Sequence, residues 1–158
     1  MSYDFNASDI MEMAVQMERN GAGFYRASAQ KMTDADAKKL LLELAAMEDD
    51  HEKTFTAIKK ELSEKEKQST VFDPDGEAGQ YLRALVDIRV FYKKDMPVDS
   101  IREILKSAIE AEKDSIVFYL GLRDMVPEKM GRNRIDQVIK EEMGHVRTLS
   151  KKLVALPK

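Results

Sequence analysis

Apolar residues recur along this chain at alternating steps of three and four, and that spacing predicts long helices with one buried face each. The first helix is expected over 7–32, opened by Asn6 or Ser8, with an inner stripe of Ile10, Ala14, Met17/Glu18, Gly21, Tyr25 and Ser28/Ala29. Thr33-Asp34 reads as a tight turn and a new N-cap. The second helix is expected over 35–68, with a seam of Leu41, Leu44, Glu48, His51, Phe55, Ile58 and Leu62. Such a heptad seam suits antiparallel bundle packing. The pattern breaks over 69–97, where Val71-Phe72-Asp73-Pro74-Asp75-Gly76 is turn chemistry. A shorter helix is expected over 77–92, with Tyr81, Leu85 and Ile88 on one side. The third long helix starts at Pro97-Val98-Asp99-Ser100 and runs to Met125, along Ile101, Ile104/Leu105, Ala108, Glu112, Ser115, Tyr119 and Leu122. Pro127 opens the last helical region, with a break expected near Gly131 and a seam of Ile135, Val138, Glu142, His145, Leu149 and Lys152/Leu153.

The seams carry charged residues where apolar ones belong. His51 and His145 are the chain's two histidines, and each follows a glutamate by three residues, in Glu48-x-x-His51 and Glu142-x-x-His145. On a helix that spacing puts carboxylate and imidazole on one face, a turn apart. The two motifs are offset by 94 residues, the separation of Glu48 from Glu142. The same offset carries Ala14 onto Ala108, Glu18 onto Glu112, Phe24 onto Phe118 and Tyr25 onto Tyr119. The chain thus reads as one domain over 1–158 made of two helical hairpins, about 7–68 and 98–156, joined by the crossover 69–97. So long a connection suits helices two and three running parallel, which makes the expected fold an all-α, ferritin-like four-helix bundle.

Composition narrows the chemistry. Hydrophobic residues make up 43% and charged residues 35%, as expected of amphipathic helices. A net charge of −3 disfavours nucleic acid as a partner. The absence of cysteine excludes disulfides, thiolate metal sites and cysteine nucleophiles from this chain. No apolar run is long enough to span a bilayer, and Met1-Ser2-Tyr3-Asp4-Phe5-Asn6 lacks the regions of a signal peptide, so a cytoplasmic location with no membrane partner is expected.

Four carboxylates in a bundle core would repel and could not all stay ionised without compensation. Two divalent cations balance them, and neutral imidazoles complete the donor set. Glu18, Glu48, His51, Glu112, Glu142 and His145 are therefore the expected metal residues: Glu48 and Glu142 bridging, Glu18 and Glu112 terminal, and each histidine capping one metal. Oxygen and imidazole donors suit two iron ions, with manganese or zinc as alternatives. Tyr25 and Tyr119 share a face with the lone glutamates; they either hydrogen-bond to ligand carboxylates, act as redox-active neighbours, or are ordinary core aromatics. Gly21 and Gly23 either open space near the metals or permit close helix packing.

These motifs, together spanning the four long helices, resemble those of the rubrerythrins. The resemblance implies a non-haem di-iron redox protein, an enzyme that reduces hydrogen peroxide or dioxygen, and a homodimer. Two departures accompany it. Many rubrerythrins carry a cysteine-ligated rubredoxin domain; this chain has no cysteine, so electrons would come from an external, rubredoxin-like donor. Rubrerythrins also tend to carry a further carboxylate on the third helix, where Ser115 here offers a hydroxyl. The competing expectations are ferritin-like iron oxidation or binding, and a scaffold with a vestigial or zinc-filled site. For a dimer contact, the apolar crossover with Phe72, Tyr81, Leu82, Phe91 and Tyr92 is the candidate.

Overall fold

The computed structural model describes residues 7–65, 77–88, 100–126 and 128–158. Its helices are α1 (Ala7–Gln30), α2 (Ala35–Lys65), α3 (Glu77–Ile88), α4 (Ile101–Met125) and α5 (Arg132–Ala155), with a 3₁₀ turn over Glu128–Met130. No strand occurs among the described residues.

The helix ends follow local chemistry. α1 stops two residues before the expected Met32, because Lys31 and Met32 donate to Ser28 and Ala29 in tightened turns. Asp34 caps α2 as its spacing predicts, its carboxylate accepting from the Ala37 amide at 3.1 Å. Ser100 occupies the N-cap of α4 without a side-chain bond; its carbonyl accepts from the Ile104 amide. The expected break before α5 is real and has a cause. Gly131 sits at φ 117°, and a Cβ there would lie 3.2 Å from Ile58. The expected ends of the second and crossover helices, Gln68 and Tyr92, lie outside the described residues, as do Asn6, Pro127, Phe72 and Phe91.

Two apolar clusters fill the bundle. One gathers Ile10, Met11, Phe55, Ile58, Phe118, Tyr119, Leu122, Ile135 and Val138. The other gathers Tyr25, Ala29, Leu41, Leu44, Ile104, Leu105, Ala108 and Leu149. The second cluster takes the start of α2, the start of α4 and the end of α5, so α2 and α4 run parallel, as the long crossover requires. α3 packs on α4 by burying Leu82 rather than Tyr81, which is 48% exposed. The ring of Tyr81 also lies against Gly121 of α4. Leu82 lies beside Gly121, close enough to leave no room for a Cβ there without a shift, so it belongs to this chain's own core.

Phe55 is wholly buried, with its ring 4.8 Å from that of Tyr119. Phe55→Ala is expected to lower stability by about 3–5 kcal/mol. Chemical denaturation checks this, and a loss below about 1 kcal/mol would show that the ring does not anchor this cluster.

Candidate metal centre

Between the two apolar clusters the seams turn polar. Glu18 comes from α1, Glu48 and His51 from α2, Glu112 from α4, and Glu142 and His145 from α5. All six are buried. The structure brings every one of them into a single cluster, where they form two overlapping groups. One is Glu18, Glu48, His51 and Glu142; the other is Glu48, Glu112, Glu142 and His145. Within each group one donor atom per residue lies within 4.8 Å of the rest. Glu48 and Glu142 belong to both groups, whereas Glu18, Glu112 and the histidines belong to one each.

The Nδ1 atoms of both histidines turn inward. His51 Nδ1 lies 3.3 Å from Glu142 Oε1 and 3.5 Å from Glu18 Oε2. His145 Nδ1 lies 3.1 Å from Glu142 Oε2 and 3.3 Å from both Glu48 Oε1 and Glu112 Oε1. Glu142 therefore offers one oxygen to each half of the site. The imidazole rings are near-parallel with centroids 5.7 Å apart.

The tyrosines connect the halves. Tyr25 of α1 donates to Glu112 of α4, and Tyr119 of α4 donates to Glu18 of α1. Each lone glutamate is thus held by the tyrosine of the other hairpin. Of the alternatives open in the sequence, this is hydrogen bonding to the clustered carboxylates, across helices rather than along one. Of the two glycines, Gly21 faces the centre: a Cβ there would lie 3.0 Å from Glu48 Oε2. Gly23 faces open space. Ser115 spends its hydroxyl on the Ala111 carbonyl at 3.1 Å, as a helical serine commonly does.

Glu141 is not among the six residues expected at the centre. It accepts from His51 Nε2 at 2.6 Å and is a structural part of the site. Its only sequence signal is adjacency to Glu142, since its helix face points away from the seam.

The donor set fits two cations. Glu18 Oε2, Glu48 Oε1, both Glu142 oxygens and the Nδ1 atoms of both histidines are buried without a hydrogen-bond partner among the described residues. Buried polar groups seldom stay unpaired, and a buried ion costs several kcal/mol, to order of magnitude, unless compensated. Among the described residues, the ion pairs of these four carboxylates run only to His51 and His145. Without metal, protons do the compensating. Burial disfavours the charged imidazoles, yet Glu142 and Glu18 push His51 up to about 11, and Glu112, Glu142 and Glu48 push His145 up to about 12. Burial and the nearby Glu112 raise Glu142 to about 8. Burial and the charge of Glu18 hold Glu48 well above the usual carboxylate range. Glu112 goes the other way: burial would raise it, but Glu142, His145 and Tyr25 outweigh burial and lower it.

A folded-state pKa raised above its unfolded value contributes stability that is complete below the unfolded pKa and disappears as pH rises through the folded one. Glu142 loses its contribution between about 4.5 and about 8, and the histidines lose theirs from 6.5 upward to about 11 and about 12. The chelated, metal-free protein is therefore expected to lose stability steadily from pH 6.5 to 9. Urea midpoints across that range test this, and a midpoint that is flat or rises with pH would contradict it.

No helix of the described residues is long and apolar enough to cross a membrane. No curated protein matches the chain. Among solved structures it is similar to a Thermotoga maritima protein described as a ferritin-like diiron-carboxylate protein. The two share 24% identity over 98% of this chain and 99% of that one, with a TM-score of 0.70. That likeness shows the ferritin-like fold. The rubrerythrin family model matches residues 9–153, a span that takes in all six clustered residues and both tyrosines. By that match over nearly its whole length, the chain belongs to the rubrerythrin family.

Proposed function

We propose that the cluster holds two iron ions and that the loaded protein is an oxidoreductase reducing hydrogen peroxide or dioxygen with electrons from an external donor. The observation that carries this reading is the sharing of Glu48 and Glu142 by two otherwise separate donor groups, which suits two metals bridged by two carboxylates. Glu18 and His51 would complete one metal's ligands, and Glu112 and His145 the other's. A pair of ferrous ions, when bound, supplies the two electrons that convert one peroxide and two protons into two waters.

The chain's own residues set the conditions. The apolar clusters on either side exclude bulk water from the cluster's two ends. Tyr119 and Tyr25 orient Glu18 and Glu112 by donating their hydroxyl protons, and burial together with the surrounding carboxylates keeps both phenols protonated. With those protons retained, the phenols act as fixed donors that hold the terminal carboxylates in place. None of these 158 residues is a cysteine, so they offer no thiolate ligands for a rubredoxin-type iron and the electrons would reach the centre from outside them.

Anaerobically purified protein is expected to carry two iron ions per chain. One equivalent of peroxide should oxidise the reduced form, and a rubredoxin-type donor should re-reduce it. A ferrous spectrum that peroxide leaves unchanged would sink the enzymatic reading, and uptake well beyond two ions per chain would point to iron handling instead. Glu48→Ala and His145→Ala should lose the thermal stabilisation that added metal confers on the wild type. That gain is about 2.7 kcal/mol per ion at a hundredfold excess over Kd. An undiminished gain in both variants would remove these residues from the ligand set.

A further inference from the structure

The internal repeat is broken at Glu141, beside the metal centre. Shifting Glu141 back by 94 residues lands on Met47. The residue that would hold the outer nitrogen of His145, as Glu141 holds that of His51, is a thioether. The consequence is visible in the hydrogen bonds. His51 Nε2 meets Glu141 Oε2 at 2.6 Å, and the other oxygen of Glu141 accepts from Gln137 at 3.3 Å. His145 Nε2 is buried and has no partner among the described residues. Met47, Glu141 and His145 are among the residues lining a surface cleft of about 500 Å³. Both Met47 and Glu141 are flanking, partly exposed positions, so the difference between them is chemical rather than one of burial.

With Nδ1 of each ring turned toward the carboxylates, Nε2 carries the proton when Nδ1 binds a metal. A carboxylate accepting that proton fixes the tautomer and ring orientation and makes the imidazole a stronger donor. A methionine sulfur is a weak acceptor and does little of either.

We infer that Glu141 is a positioning residue that makes the two metal positions unequal: the one capped by His51 binds its ion more tightly, and the one capped by His145, beside the Met47 cleft, is the weaker and more exchangeable position. This rests on the proposed two-metal reading. It goes beyond that reading by assigning an order of filling and a residue that sets it. Removal of one ion under limiting metal or chelator would then empty the His145 position first.

Stepwise anaerobic titration of the metal-free full-length protein with Co(II), followed by visible absorption, tests this. Wild type should bind two ions in two resolved steps. Glu141→Met should weaken the first step by about 10- to 100-fold, the range found for partners of metal-ligating histidines, and leave the second nearly unchanged. Met47→Glu should strengthen the second step and leave the first alone, a gain that loss of packing cannot imitate. Proton NMR of the Co(II)-loaded protein adds a site-specific readout, because there are only two histidines. One slowly exchanging imidazole N–H signal is expected in wild type, none in Glu141→Met and two in Met47→Glu. Should wild type take up no cobalt, the two-metal reading itself fails. Should it bind two ions while Glu141→Met keeps the first step and Met47→Glu keeps the second, the inference is overturned and the two-metal reading stands.

Discussion

Charge balance inside the buried core of the bundle is the constraint on which this molecule depends. Four carboxylates and two imidazoles lie buried between two apolar clusters, and among the described residues the four carboxylates form ion pairs only with those imidazoles. Ionised carboxylates at this depth repel one another, and each is costly to desolvate. Something positive must share the cavity. Protons suffice in the metal-free protein, which explains why both imidazoles and Glu142 hold protons far above their ordinary ranges. Divalent cations are the stronger solution, and the inward-facing, unpaired donor atoms are arranged as they require.

The near-symmetry of the site follows from the repeated hairpin. Each half contributes a lone glutamate, a tyrosine and a Glu-x-x-His, and the tyrosines lock onto the opposite half's glutamates. This reciprocity makes the two hairpins mutually dependent, because neither tyrosine finds its carboxylate within its own hairpin. Gly21 belongs to the same scheme. Its missing side chain leaves room for Glu48 to reach the centre, and the equivalent position on α4 is the small Ser115. Where symmetry fails, at Glu141 against Met47, the two halves acquire different surroundings although their inner donors match.

Periodicity and the 94-residue offset were enough to identify the four long helices, the hairpin repeat and all six clustered residues, because each of these is a property of one helix face or of a sequence separation. A glutamate or histidine in an apolar seam must be buried when the helix packs, and two matched seams must meet in the same layer of the bundle. Contacts between helices were not legible in this way. The crossed tyrosine–glutamate bonds, the reach of Glu141 to His51, and the burial of Leu82 against α4 all depend on how one helix is rotated and shifted against another. Sequence spacing along a single helix carries no record of that rotation. The sequence by itself therefore determined which residues enter the centre, and the tertiary structure alone decided which of them hold one another there.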